Sequence, residues 1–328
     1  MSLPRWLRTI PARWVVIPLA VFIAAAPVGA ATPAVPSPYV LVLGTAQDAG
    51  IPQIAGHSPE DEAARRDPRR RRLVASLLIV DPRSGQRWLI DATPDLKQQV
   101  DRAAGQPANL RSAPGRPPLF DAIFLTHAHL GHVTGLLELG REAYAAEGQR
   151  VVGSASMARF LSGNAPWDLL LRFGHIRLET FTPDRAISLG TGLTITPIAV
   201  PHRAETTDTF GFIIRGPHRS LLYIPDIDKW DAWDRKLGEV LSSVDVAYLD
   251  GTFFDAGEVP GRSMAEIPHP FIVETLARIA ALPLAERRKV VFTHLNHTNP
   301  AADPASAARR RIVTAGCRVA AEGAREDL

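Results

Sequence analysis

The chain has 328 residues, 46% of them hydrophobic, and a formal net charge of +3. Three arginines in the first 30 residues account for this charge, and the rest of the chain carries 34 basic and 34 acidic residues. This balance argues against a nucleic-acid partner. A single cysteine, Cys317, excludes an internal disulfide. A chain of this length can bury about three quarters of its surface in one core, so it needs none.

The first 30 residues have the organisation of a secretory signal. Three arginines precede an apolar run from Trp14 to Ala26, and small residues follow up to Ala30. The run is shorter than the about 20 residues of a membrane-spanning helix, and an uncleaved anchor is the alternative. We therefore expect a signal peptide at residues 1–30, one domain at residues 31–328, and a periplasmic or secreted protein without stable membrane insertion.

Apolar patterns along the rest of the chain predict alternating strands and helices. Helices are predicted at residues 94–104, 133–146, 156–173, 231–243 and 271–281. Strands are predicted at residues 39–46, 76–81, 87–91, 121–126, 193–200, 210–215, 220–224, 244–249 and 289–292, with two more around the helix at 156–173. Two groups of strands with outer helices predict an α/β fold, a four-layer αββα sandwich.

The polar stretch from residue 57 to residue 72 contains six arginines close together. We expect a solvated loop there, with a clamp for an anionic substrate as the alternative.

Three histidines crowd the sequence Thr126-His127-Ala128-His129-Leu130-Gly131-His132, between a predicted strand and a predicted helix. His127 and His129 point to the same side of an extended backbone, whereas His132 opens the helix and reaches further. Such a turn can serve two adjacent metal ions. Scattered structural histidines are the alternative interpretation.

Four further apolar stretches end on residues that could bind a metal: His202, Asp226, His269 and His294. The end of a rigid strand can hold such a side chain still. Asp91 also ends a predicted strand, and it either orients a ligand histidine or is a plain strand-end carboxylate.

The histidine turn resembles the signature of the metallo-β-lactamase superfamily, His-x-His-x-Asp-His, with Gly131 in place of the aspartate. The resemblance implies that a first metal is held by His127, His129 and His202. Asp226 would bridge the two metals, and His132 with His294 would hold the second. Because glycine offers no side-chain ligand, we expect a weaker second site, and we expect Gly131→Asp to raise its occupancy.

Imidazole and carboxylate ligands at open positions suit zinc, as one or two ions. Two histidines and one carboxylate, here His132, His294 and Asp226, also suit iron, and manganese is a further option. A bound metal of this kind lowers the pKa of water to about 7, which makes hydroxide available near neutral pH.

Longer phrases are similar to the pyrroloquinoline-quinone biosynthesis B family, among them LGTAQDAGIPQ, THAHLGHVTGLLELGRE, IPDIDKW and HLNHTNP. A phosphodiesterase family of phosphonate breakdown is similar in its ligand order, and it places a catalytic histidine where His269 falls. Both families usually carry a cysteine-rich zinc knuckle after the first strand. This chain has no cysteine there, so we expect no structural zinc.

Three further residues near these motifs allow more than one role. His297, in Asn296-His297-Thr298-Asn299-Pro300, either completes the second metal site or hydrogen-bonds the loop. Asp228 is predicted to cap the following helix. Asp250 is predicted to tie down a strand end, with an orienting role behind a ligand as the alternative.

Together these patterns predict an exported metal-dependent hydrolase that uses metal-activated hydroxide on a small-molecule ester, amide or phosphodiester. Its catalytic residues would be Asp226 and His269, the latter as proton donor or oxyanion partner, unless His269 only caps the next helix. Two alternatives stay open. One is an iron-dependent redox or oxygen-using role, or a carrier role, linked to pyrroloquinoline-quinone biosynthesis. The other is a non-catalytic metal- or ligand-binding protein.

We predict that the chain is exported and cleaved after Ala30, because charged, apolar and small residues follow one another there as in a signal peptide. Mass spectrometry of the N-terminus of the protein from its native cell checks this. A cytoplasmic chain that begins at Met1 would contradict it.

Overall fold

The computed structural model describes residues 36–108, 115–190, 192–258 and 267–328. Residues from Pro36 onward form one compact unit. Within the described ranges, no helix is long and apolar enough to cross a membrane. The predicted signal at residues 1–30 lies outside them and stays a prediction.

The strands belong to two sheets of seven strands each. In chain order the strands are β1 (Tyr39–Gly44), β2 (Ser76–Asp81), β3 (Gln86–Ile90), β4 (Ala122–Phe124), β5 (Gln149–Gly153), β6 (Ile176–Thr180), β7 (Ile187–Gly190), β8 (Leu193–Val200), β9 (Thr209–Arg215), β10 (Ser220–Ile224), β11 (Val246–Asp250), β12 (Val290–Thr293), β13 (Arg318–Val319) and β14 (Arg325–Asp327). In the first sheet the strand order is β14-β1-β2-β3-β4-β5-β6, and in the second it is β13-β12-β11-β10-β9-β8-β7.

Both sheets are mixed in the same way. Strands β3 to β6 run parallel, and so do β10 to β13, whereas the strands on the other side of each sheet are antiparallel. In parallel strands the carboxyl ends lie at the same edge, which is where α/β sheets bind their ligands. Two such edges can therefore supply side chains to one site.

Nine α-helices lie within the described residues: α1 (Pro59–Arg66), α2 (Leu96–Ala103), α3 (Leu130–Val133), α4 (Ala155–Gly163), α5 (Trp167–Arg172), α6 (Leu237–Ser242), α7 (Ile272–Ile279), α8 (Leu284–Arg287) and α9 (Ala307–Thr314). One core lies between the sheets and joins Trp88 of β3 to Phe212 of β9 and Tyr248 of β11. Two further cores pack helices against the outer face of each sheet. The predicted four-layer αββα sandwich is confirmed.

Strands buried on both faces explain why the sequence patterns identified most of the sheets. Every residue of β2 and of β10 is buried, so these strands appear in the sequence as continuous apolar runs rather than alternating ones. The strands that were not predicted, β7, β13 and β14, are edge strands of four, two and three residues. They are too short to show a period.

The helix predicted at residues 133–146 is much shorter in the structure. After α3 the chain continues as a 3-10 helix, Thr134–Leu139, which ends at Gly140. A Cβ atom on Gly135 would lie 2.1 Å from the carbonyl oxygen of Thr93. The 3-10 helix therefore packs directly on the backbone that follows β3 and stands in place of the longer predicted helix.

The prediction of a solvated loop at residues 57–72 is wrong, because α1 and a 3-10 helix, Pro68–Arg70, form there. A capping box starts α1: the Ser58 hydroxyl accepts from the backbone nitrogen of Asp61 at 3.1 Å, and the Asp61 carboxylate accepts from that of Ser58 at 3.0 Å. This exchange satisfies donors that a helix start otherwise leaves unpaired.

The same Asp61 joins α1 to the loop after β12. Its buried carboxylate accepts from Nδ1 of His297 at 2.6 Å and from the backbone nitrogen of Gln53 at 2.7 Å. Ser58 donates to the carbonyl of His297 at 2.6 Å. Burial alone would raise the pKa of Asp61, but these hydrogen bonds outweigh it and lower the pKa. We call Ser58, Asp61 and His297 the polar clamp.

We predict that His297→Ala lowers the free energy of unfolding by about 1–3 kcal/mol, because it leaves the buried Asp61 carboxylate short of a donor. Urea unfolding measures the change, and His218→Ala, at an exposed position, is the control. Equal stability of the two variants would contradict the clamp. Loss of bound metal from His297→Ala would instead make His297 a ligand.

Candidate metal centre

The six predicted metal ligands lie together where strands of the two sheets end. His127 and His129 follow β4, and His132 lies in α3. From the second sheet, His202 follows β8, Asp226 follows β10 and His294 follows β12. Together with Asp48 from the loop after β1, these residues form groups whose ligand atoms lie within 4.8 Å of one another.

The first group consists of His127, His129 and His202. Nε2 of His127 lies 2.9 Å from Nδ1 of His129. The ring centroid of His202 is 5.3 Å from that of His127 and 5.0 Å from that of His129. Three imidazoles that face one position form a typical set of zinc ligands.

The second group consists of His132, His294 and Asp48. Asp226 lies between the two groups. Its Oδ2 is 2.9 Å from Nε2 of His132, 3.3 Å from Nε2 of His294 and 3.6 Å from Nε2 of His127. Its Oδ1 is 3.9 Å from Nε2 of His202. This carboxylate can therefore contact ions in both groups.

Several ligand atoms of this cluster are buried without a hydrogen-bond partner. They are Nε2 of His132, His202 and His294, Oδ2 of Asp226 and Oδ1 of Asp48. Buried polar atoms in folded proteins nearly always have a partner, so a set that converges on one place needs an explanation. A metal ion would satisfy them, and a mixed set of imidazole nitrogens and carboxylate oxygens fits zinc, iron or manganese.

In four of the candidate ligand histidines, a polar contact of the ring nitrogen Nδ1 fixes the orientation of the ring. Such contacts select which nitrogen is left for a metal. They join Nδ1 of His127 to Thr126 Oγ1 (3.0 Å), of His132 to Asp91 Oδ2 (2.8 Å), of His202 to Asp228 Oδ1 (3.0 Å) and of His294 to Thr252 Oγ1 (3.1 Å). The Nε2 atoms of these four rings therefore face the cluster.

Asp91 and Asp228 thus lie directly behind ligand histidines. Asp91 is fully buried, and its Oδ1 also accepts from the backbone nitrogen of Thr126 at 2.8 Å. The prediction that Asp228 caps the following helix is wrong. That element is the 3-10 helix Trp230–Ala232, its N-cap is Lys229, and the Asp228 carboxylate is used on His202 instead.

Two residues of the centre have left-handed backbone conformations, which are unfavourable for side chains other than glycine. Asp91 has φ of 66° and His294 has φ of 60°. Such strain is of order 1–3 kcal/mol per residue and persists only where the surroundings impose it. Both residues immediately follow a strand, β3 and β12, and both are fully buried.

His269 lies beside the first group and is held by Asp250. Its Nδ1 is 2.7 Å from Oδ2 of Asp250 and 3.6 Å from Oδ1 of Asp226. Burial lowers the pKa of His269, but Asp250 and then Asp226 outweigh burial and raise it to about 9. The alternative that His269 caps the next helix is wrong, because α7 begins at Ile272 and its N-cap is Phe271.

Charge is distributed unevenly within the centre. Burial lowers the pKa of His127 well below its usual value, and the neighbouring His132 lowers it further. Burial also disfavours a charged His132, but Asp91, Asp226 and Asp48 raise its pKa well above the usual value. Burial would likewise raise the pKa of Asp226, but His294 and His132 hold it well below its usual range. The Asp226 carboxylate is therefore ionised.

The sequence patterns do not predict Asp48 as a site residue, and its position explains why residue 131 is glycine. A Cβ atom on Gly131 would lie 2.1 Å from Oδ1 of Asp48 and 2.7 Å from its Cα. The expectation that Gly131→Asp strengthens the second site conflicts with this geometry, because Asp48 already fills that space. Like the predicted ligands, Asp48 follows a buried strand, and this signal could have identified it.

His297 lies in the polar clamp with Asp61 and is absent from the candidate ligand groups of the described residues.

We predict that Asp228→Ala weakens the binding of one zinc ion by about 10-fold to 100-fold, because His202 loses the contact that orients its ring. Zinc titration of the metal-stripped protein measures this. Asp231→Ala is the control, since Asp231 is an exposed carboxylate that pairs with Arg278. Equal zinc affinity in the two variants would contradict the orienting role.

Comparison with known proteins agrees with the fold. A family profile described as "Beta-lactamase superfamily domain" matches residues 86–295. Among solved structures, zinc-bound PqqB from Methylobacterium extorquens has a TM-score of 0.72 at 24% identity, with 88% of this chain and 100% of that chain covered. A diphosphatase from the PhnP family has a TM-score of 0.61 at 20% identity, with 89% and 97% covered. These two likenesses show the fold.

Sequence comparison defines the group more narrowly. Coenzyme PQQ synthesis protein B of Methylobacterium sp. (strain 4-46) is 30% identical over 309 residues, which cover 86% of this chain and 97% of that protein. Its counterpart in Gluconobacter oxydans (strain 621H) is 27% identical over 308 residues, which cover 87% and 96%. The chain therefore belongs to the beta-lactamase superfamily and, within it, to the homologues of coenzyme PQQ synthesis protein B.

Proposed function

We propose that this chain is a metal-dependent hydrolase that cleaves an ester, amide or phosphodiester bond in a small molecule. The observation that carries the proposal is the position of Asp226, an ionised carboxylate between two groups of ligand atoms, several of which have no hydrogen-bond partner. Two adjacent cation sites that share a carboxylate are typical of hydrolases that act on phosphate and acyl groups.

When bound, zinc supplies Lewis acidity, which lowers the pKa of water to about 7 and polarises the oxygen of a scissile group. In our proposal, the protein fixes the direction of each ligand. Asp91 orients His132, Asp228 orients His202, and Thr252 orients His294. Asp226 places its negative charge between the two ligand groups. These side chains are held before a substrate arrives, so little reorganisation accompanies the reaction.

His269 is the proton donor of the proposed reaction. Asp250 holds its Nδ1, which leaves Nε2 for the substrate. Asp250 itself is fixed by the backbone nitrogens of Ile227 at 3.1 Å and Thr252 at 2.9 Å. The Asp250 carboxylate raises the pKa of His269 and so favours the protonated ring that a group must have to neutralise an oxyanion or protonate a leaving group.

Proteins of the same fold support hydrolysis and zinc. One is described as a diphosphatase and another as human tRNase Z, short form, with a TM-score of 0.53. The PqqB structure is described as zinc-bound. We propose zinc as the metal of this chain, in one or two ions, and export by the N-terminal segment.

A second candidate function is a role in the maturation of the quinone cofactor, with iron in the centre. The observation that favours it is the 30% identity to coenzyme PQQ synthesis protein B over 97% of that protein. The two candidates differ in the metal and in the use of oxygen. A binding protein without activity is the third candidate.

Metal analysis of the protein isolated without added metal, followed by assays on phosphodiesters and activated esters, tests these candidates. If the chain is a hydrolase, we expect the isolated protein to contain zinc and to hydrolyse one of these substrates. Chelation should abolish this turnover, and added zinc should restore it. Iron with oxygen consumption and no hydrolysis would favour the second candidate. Bound metal without either activity would favour a binding protein.

We predict that His269→Ala lowers turnover by about 10²-fold to 10⁴-fold while metal content and folding persist, because a positioned acid is lost. Steady-state kinetics on the substrate found above, with metal analysis of the same sample, measure both quantities. His57→Ala is the control, since the His57 side chain is 82% exposed.

Full activity of His269→Ala would mean that His269 is not the acid. Loss of metal together with activity would make it a ligand.

A further inference from the structure

The superfamily signature places an aspartate at position 131, and this chain has glycine there. The second ligand group would then contain only His132, His294 and the shared Asp226. A structural zinc ion has four ligands, and a catalytic one has three with an open position. The question is whether another residue supplies the missing carboxylate.

The space beside Gly131 is filled by Asp48. Both Oδ1 and Cα of Asp48 lie so close to Gly131 that a Cβ atom there would overlap them, at 2.1 and 2.7 Å. Contacts below 3.0 Å are not tolerated by a real Cβ atom. Asp48 can therefore occupy its position only because residue 131 is glycine.

The distances from Asp48 to the two histidines match those of ligands that share an ion. Oδ1 of Asp48 is 3.6 Å from Nε2 of His132 and 3.7 Å from Nε2 of His294. Oδ2 of Asp226 lies 2.9 and 3.3 Å from the same two nitrogens. Donor atoms on a tetrahedron with bonds of about 2.0–2.2 Å are about 3.3–3.6 Å apart. Asp48 thus stands at the distance expected of a co-ligand.

A hydrogen bond with His132 is the plainer role for Asp48, and the distances disfavour it. A hydrogen bond between nitrogen and oxygen is about 2.7–3.2 Å long, and Asp48 lies beyond that range from both rings. Its Oδ1 is buried and has no hydrogen-bond partner, although the side chain as a whole is 41% exposed. His132 already has Asp91 as partner on its other nitrogen.

The backbone fixes Asp48 relative to the second group. The amide of Gln47 donates to the carbonyl of Leu295 at 2.9 Å, and the amide of Leu295 donates to the carbonyl of Thr45 at 2.9 Å. Leu295 directly follows the ligand His294. A turn closed by Gly50 and Gln47, at 2.8 Å, then holds Asp48 between them.

We propose that Asp48 is the carboxylate ligand of the second metal and replaces the aspartate of the superfamily signature. In this chain the carboxylate comes from the loop after β1, and Gly131 is required to make room for it. The Asp48 side chain is partly exposed, whereas those of His132 and His294 are buried. This proposal rests on the metal centre of the proposed function but not on hydrolysis.

Zinc titration of the metal-stripped full chain tests the proposal without any substrate. Four variants are compared with the parent: Asp48→Asn, Gly131→Ala, Gly131→Asp and the double variant Asp48→Gly with Gly131→Asp. Asp184→Asn is the control, since Asp184 is a partly exposed carboxylate paired with Arg235. Circular dichroism and unfolding of each metal-free variant show whether it folds.

We expect Asp48→Asn to weaken the second zinc ion by at least about 10-fold and to leave the first unchanged. Gly131→Ala adds only a methyl group and alters no ligand, but it should weaken the same ion by displacing Asp48. Gly131→Asp alone should give no gain. In the double variant the carboxylate moves to the position of the superfamily signature, and the second ion should return towards the parental affinity.

Parental zinc stoichiometry and affinities in Asp48→Asn would overturn the proposal, and so would a gain from Gly131→Asp alone. A folded double variant that binds the second ion no better than Asp48→Asn would also overturn it. If these titrations succeed while no substrate is hydrolysed, the proposed function is wrong and the ligand assignment stands.

Discussion

The centre depends on the burial of one ionised carboxylate among histidines. Asp226 is 3% exposed and lies within 4 Å of four ligand rings, but its Oδ2 has no hydrogen-bond partner. A buried charge costs several kcal/mol unless its partners compensate for the lost water. Histidines alone compensate only in part, because burial lowers the pKa of His127 and of His202 and so disfavours their charged forms. A divalent cation on either side of Asp226 would satisfy the carboxylate and the imidazoles together.

The sandwich provides the rigidity that such a cluster needs. Strands of both sheets end close together, and the candidate ligands lie in the loops and in the short helix α3 that follow these strand ends. Outward from the ligands, a second set of polar groups fixes the rings, and several of these are themselves tied to the backbone, as Asp91 is to Thr126 and Asp250 is to Ile227. Two of the strand-end residues accept an unfavourable backbone conformation. The stability of the surrounding sheets compensates for that strain.

Two contacts between segments that are distant in the chain shape the surroundings of the centre. The polar clamp joins α1 to the loop that contains His297. The backbone of α3 packs against Asp48. The arginine-rich stretch is helical for a local reason instead, since the exchange of hydrogen bonds between Ser58 and Asp61 starts α1 in spite of its charge.

The sequence alone determined the layers and the histidines. Strands buried on both faces leave continuous apolar runs, and three histidines at a strand-to-helix turn have a spacing that few structural roles produce. The tertiary structure decided everything that depends on residues far apart in the chain. In the folded chain, His297 contacts the Asp61 carboxylate, Asp228 contacts the ring of His202, and Asp48 fills the space beside Gly131. A glycine in a motif shows only that a side chain is missing. What fills the space is set by the packing of another segment, and no local pattern encodes it.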